Sequence, residues 1–112
     1  MRMRKRHNLA PRMEKCADLM IPDCTAHRGC WLEDIPGFER LYVELGCGKG
    51  RFTADTAAEM PGTLLLAVEK VPDAMIIAME RIRERGLANV RFIDGDAAAL
   101  PQMLAPGEAA RI

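Results

Sequence analysis

Residues 41–52 read LYVELGCGKGRF, and the reading of this stretch decides the fold. Leu41, Tyr42 and Val43 form a short apolar run of the kind that makes a buried strand. Gly46, Gly48 and Gly50 then occupy every second position. That spacing predicts a tight turn whose backbone adopts conformations open mainly to glycine, with no Cβ to keep a ligand away. A carboxylate, Glu44, stands just ahead of the turn.

The pattern downstream is regular. Gly50 opens a predicted helix through about Met60, with Ala54, Ala57 and Ala58 as its apolar stripe. Pro61-Gly62 ends it. Thr63 to Val68 is continuously apolar, as in a strand covered on both faces, and Glu69 closes it. Pro72 suits the first turn of a second helix, with Met75, Ala78, Met79 and Ile82 inward, and Gly86 suits its C-terminal cap. This methionine-rich helix reads as core. Val90 to Ile93 predicts a third strand, Asp94-Gly95-Asp96 its end, and 97–104 a short helix. Ala109 to Ile112 begins a fourth strand. The order β-α-β-α-β-α-(β) predicts an α/β fold with a parallel sheet and right-handed crossovers.

Upstream, the sequence is less regular. Residues 1–15 read as a basic arm. Residues 16–40 read as an irregular segment punctuated by Pro22, Gly29, Pro36 and Gly37, with Trp31, Leu32 and Phe38 expected to pack on the main body. The expected division is therefore 1–40, arm and irregular segment, and 41–112, the α/β unit.

Length and composition set bounds. A chain of 112 residues is one domain at most. The formal net charge is zero, so bulk charge selects no partner. Arg2, Arg4, Lys5 and Arg6 nevertheless crowd the start, which suits either a solvated terminus or contact with phosphate or an acidic surface. The apolar stretch after them is too short for a secretion signal and nothing reaches membrane-span length, so a cytoplasmic chain with reduced thiols is expected. Cys16, Cys24, His27 and Cys30 make a zinc set on paper. The C-x5-C spacing, broken by Pro22 and Asp23, argues for ordinary thiols, and no metal is expected. Cys47 is small enough for the glycine turn, and a nucleophilic role for it would need a histidine nearby. The chain has no serine, which excludes serine catalysis.

Three successive strand ends carry carboxylates: Glu44, Glu69, and Asp94 with Asp96. Aspartates at such places often only cap helices, but three strand ends beside a triple-glycine turn point to a ligand, because open parallel sheets bind ligands there. The dinucleotide fingerprint fails at Arg51, and the phosphate loop fails because Gly50 follows Lys49. Glu44 would also repel a pyrophosphate. A ligand with a positive centre and no phosphate fits, and S-adenosyl-L-methionine is such a ligand. Glu69, 19 residues beyond Gly50, could accept both ribose hydroxyls. A nicotinamide cofactor would use Glu69 equally well; the pairing of Glu44 with G-x-G-x-G is what discriminates.

E-L-G-C-G-K-G-R-F-T, A-V-E-K-V-P-D-A-M, D-G-D-A, the opening M-R-M-R-K-R and the A-P-G-E turn together resemble the bacterial tRNA (guanine-N7)-methyltransferase family. The resemblance implies a Rossmann-like class I methyltransferase fold, truncated to its first three or four strands with their helices. It also implies S-adenosyl-L-methionine as cofactor, with Glu44, Gly46, Gly48, Gly50, Glu69 and Asp96 as the contacting residues. Asp96 is preferred to Asp94 because it directly precedes the alanine of G-D-A. It further implies tRNA as partner of the basic arm. The family's Asp-Pro-Trp-Pro-Lys motif and acceptor-site residues lie beyond Ile112, so the chain reads as an N-terminal half and no catalytic residue is assigned within it. An incomplete sheet should expose an apolar edge after its last strand, to be covered by a complementing C-terminal half or a second copy. The alternatives kept open are a non-catalytic fragment that binds cofactor or RNA, and a methyltransferase acting on a small molecule.

Overall fold

The continuous apolar run at 63–68, closed by Glu69, forms the middle strand of a three-stranded sheet in the computed structural model, which describes residues 9–112. The cluster Arg2, Arg4, Lys5 and Arg6 lies outside the described residues. The chain runs through α1 (Leu9–Lys15), α2 (Trp31–Asp34), β1 (Arg40–Leu45), α3 (Arg51–Glu59), β2 (Thr63–Glu69), α4 (Pro72–Glu84), β3 (Val90–Asp94) and α5 (Leu100–Met103). The strands are parallel in the order β1-β2-β3, with Leu41 opposite Leu64 and Glu69 opposite Asp94. The α/β prediction stands.

Strand alternation divides the core in two. Leu65, Ala67, Val90 and Phe92 face Ala54 and Ala57 of α3 and Met75, Ala78, Met79 and Ile82 of α4. On the other face, Leu41, Val43, Leu64, Leu66, Val68 and Ile93 meet Trp31 and Met103. Trp31 is fully buried and its indole N–H donates to the Met103 carbonyl at 2.7 Å, as a buried indole requires. The methionine-rich α4 is core. It ends in a Schellman motif: Gly86 has φ +64°, its N–H donates to Arg83 O, and Leu87 N–H donates to Ile82 O.

Four details differ from expectation. Ala58 is exposed, and Thr53, fully buried, takes its place in the inner stripe of α3. The second half of the predicted arm is a helix, because Leu9 and Met13, four residues apart, pack on the α3–α4 core and Arg12 pairs with Glu80. Short 3-10 turns and α2 organise the segment expected to be irregular. Lastly, the outer side of β3 carries a bridge from the upstream segment. The segment at Met20 pairs with it, Ile21 N–H donating to Phe92 O at 2.9 Å. The outer side of β1 carries another, where Ala110 N–H donates to Leu41 O and Val43 N–H to Arg111 O, the start of the expected fourth strand. Beyond that start a groove of about 670 Å³ remains, bordered by Val43, Glu44, Leu45, Phe52 and Ile112. Leu45, Phe52 and Ile112 are exposed there.

Candidate functional site

The carboxyl end of the sheet is built around the glycine turn. Gly46, Gly48 and Gly50 all have positive φ, at +70°, +57° and +80°. Two of them differ from the third in what surrounds them. A Cβ at Gly46 or Gly48 would meet nothing within 4 Å, so these two leave open space beside bare backbone. A Cβ at Gly50 would lie 2.6 Å from Ala78 Cβ and 2.8 Å from Ala78 Cα. Gly50 is therefore needed for the close approach of α3 to α4 as well as for its φ. The turn is tied to β2 by Gly46 N–H and Cys47 N–H, both donating to Val68 O.

Glu69 is 7% exposed and holds three backbone groups. Gly48 N–H donates to Oε1 at 2.8 Å, and Lys70 and Val71 N–H donate to Oε2 at 3.1 and 3.0 Å. One carboxylate thus fastens the glycine turn to the loop that opens α4. A carboxylate offers about four acceptor positions, so capacity remains on Oε1. Glu44, on the same sheet face, accepts from the Thr53 hydroxyl. Burial raises its pKa above the ordinary glutamate value, and the Thr53 bond partly offsets the rise. Thr53 carries no signal of its own in the sequence beyond a threonine on an inward stripe.

Cys47 joins the two acids. Its thiol is pushed up to about 12, first by burial and then by the charges of Glu69 and Glu44. The thiol is a poor nucleophile there, and at pH 8 only on the order of one molecule in ten thousand would carry the thiolate. Iodoacetamide at pH 8 is expected to label exposed Cys30 at least about tenfold faster than Cys47; peptide mass spectrometry showing Cys47 labelled first would contradict this environment.

The third strand end is bound to the second, Gly95 N–H donating to Glu69 O at 3.2 Å. Asp94 and Asp96 are both exposed. Asp96 Oδ1 accepts from Ala98 N–H at 3.0 Å and caps the turn before α5. Of the predicted residues, Gly48 and Glu69 are joined directly, Gly46 stands in the same turn and Glu44 at the strand end ahead of it; Asp96 sits on the loop after β3, and Gly50 packs against α4.

The four cysteines are free. His27 Nδ1 lies 2.8 Å from Asp34 Oδ2, and its ring packs 4.8 Å from that of Trp31. Among the described residues no group of three or more His, Cys, Asp or Glu side chains is placed to hold a metal ion, and no helix is long and apolar enough to cross a membrane. Glu108, in the A-P-G-E turn, accepts from the N–H groups of Gly29, Trp31 and Ala105 and so anchors the segment that carries Trp31.

Comparison with known proteins bears on the fold and the family. Over its whole length the chain is 32% identical to the tRNA (guanine-N(7)-)-methyltransferase of Geobacillus kaustophilus and 31% identical to that of Clostridium acetobutylicum, covering 52% and 53% of those proteins. It thus spans about half the length of the curated relatives it matches. Among solved structures, the antibiotic-resistance methyltransferase Kmr superposes with a TM-score of 0.59 at 29% identity, over 73% of this chain and 44% of that one. A 30S ribosomal A1408 methyltransferase from an uncultured bacterium shares the fold, with a TM-score of 0.59 over 72% of this chain and 39% of that one, at 23% identity. Residues 39–112 match a family described as a putative methyltransferase. That match runs through the whole sheet and its strand-end turns, and the chain belongs to the putative methyltransferase family.

Proposed function

We propose that residues 41–112 are the cofactor-holding half of a cytoplasmic tRNA (guanine-N7)-methyltransferase that uses S-adenosyl-L-methionine. The observation that carries the reading is the glycine turn: its backbone is open at Gly46 and Gly48, Glu44 stands at the strand end ahead of it, and Glu69 binds it at Gly48. A cationic, phosphate-free ligand suits that cleft, and the relatives named above supply the acceptor. The cofactor supplies an electrophilic methyl group when bound. Glu44 would hold its ammonium, Glu69 its ribose hydroxyls, the glycines its close backbone approach, and Asp96 the adenine amino group. Guanine N7 has a free ring lone pair, so orientation and close approach suffice and no strong base is required. The acceptor side is assigned to the portion of the relatives that this chain does not span, or to a second copy that completes the sheet at β1.

Isothermal calorimetry with S-adenosylhomocysteine tests the cofactor. One-to-one binding is expected, with no heat from NADH; silence with S-adenosylhomocysteine would end the reading. The same titration has a pH signature. The raised Glu44 pKa lies above 4.5, and a bound ammonium favours the ionised form. Affinity should therefore fall as pH is lowered through that raised value, and Glu44→Gln should flatten the profile.

A further inference from the structure

Around the acid-lined cleft the charge reverses sign. Lys49 stands in the glycine turn, Arg51 begins α3, and Lys70 directly follows Glu69; all three are exposed. Among the described residues no carboxylate pairs with any of them. The cations farther along the helices are neutralised instead: Arg12 by Glu80, Arg83 by Asp18, and Arg85 by Asp55. Arg81 Nε–H donates to the Lys49 carbonyl at 3.1 Å and so braces the turn that presents Lys49.

The course of α1 adds a second observation. Arg12 bonds Glu80 at 2.8 Å, and the Lys15 carbonyl accepts from Arg83 at 3.2 Å. Contacts that advance three residues together along both helices mean that α1 and α4 run in the same direction. After α1 the chain turns and runs parallel to β3 at Met20. Leu9, the first residue of α1, therefore sits toward the carboxyl ends of the strands, on the side of the cleft.

We propose that Lys49, Arg51 and Lys70 form a phosphate-contacting rim that seats the tRNA backbone over the cofactor cleft. This rests on the tRNA reading above. An acidic floor suits the cationic donor, whereas a polyanion laid over the cleft needs positive charge at the edge. The rim supplies that charge, and it supplies position without sequence readout.

Filter binding of an unmodified tRNA transcript between about 50 and 200 mM salt tests the proposal, using wild type, the triple variant Lys49→Gln/Arg51→Gln/Lys70→Gln, and Arg40→Gln. Arg40 is an exposed cation at the opposite end of β1. Each lost phosphate contact should flatten the slope of log affinity against log salt by about 0.7–0.9, so the triple variant should lose about 2 units and at least about tenfold in affinity at low salt. Arg40→Gln should match wild type, and all three proteins should bind S-adenosylhomocysteine alike. A triple variant with the wild-type slope, while wild type binds tRNA, overturns the rim alone. Wild type that binds S-adenosylhomocysteine but no tRNA at 50 mM salt overturns the tRNA reading, and the rim with it.

Discussion

Replacing Glu69 by alanine is expected to lower affinity for S-adenosylhomocysteine about a hundredfold and to destabilise the chain at the same time. A hydrogen bond to a charged acceptor contributes about 1.5–3 kcal/mol, and the proposed ribose contact depends on this carboxylate. The stability loss has a separate origin. Gly48, Lys70 and Val71 would each lose the acceptor of a backbone N–H group. Leaving such groups unmet costs about 1–3 kcal/mol where they are buried, and less where water reaches them. A total of about 2–4 kcal/mol is expected from urea unfolding. Glu69→Gln keeps the volume and one acceptor oxygen, so it should fall between wild type and alanine in both measurements. Wild-type stability in Glu69→Ala would show that the carboxylate does not fasten the turn.

The second large effect belongs to Gly50. Gly50→Ala places a methyl group 2.6 Å from Ala78 Cβ in a residue held at φ +80°. The left-handed backbone costs about 1–2 kcal/mol for a residue with a Cβ. Forcing apart two packed helices adds about 1–3 kcal/mol. Against total stabilities of about 5–15 kcal/mol, the variant should melt at least about 10 °C lower by circular dichroism. Gly48→Ala makes the useful contrast. Its φ is also positive but its surroundings are open, so it should lose little beyond the backbone cost while blocking the cleft. Equal thermal losses in the two variants would refute the distinction between a packing glycine and a ligand-facing one.

This division of labour within one motif shows where sequence reading stops. The strands and helices from Arg40 onward were legible because each element has a single dominant signal: a continuous apolar run, a helical stripe, or a proline or glycine boundary. The strand-end carboxylates were legible for the same reason, since a parallel sheet leads each strand to one end. The partners of those carboxylates were not. That Glu69 binds Gly48 N–H depends on the register of β1 against β2 and on the path of the turn, and neither is written in local composition. Thr53 beside Glu44 and Ala78 beneath Gly50 are likewise contacts between elements. Helix α1 was obscured by its basic residues: the partner of Arg12 is Glu80, 68 residues away along the chain. The bridge from Met20 to β3 was hidden because a lone bridge leaves no periodic pattern.

That last contact has a counterpart at the other edge of the sheet, Arg111 beside Tyr42. Filament growth needs two adhesive sides per copy, so that each newcomer leaves a fresh template behind it. Each outer strand here already carries one bridge from its own chain, Met20 on β3 and Arg111 on β1, which takes up part of both templates. Pairing between copies at either edge must therefore compete with these internal bridges.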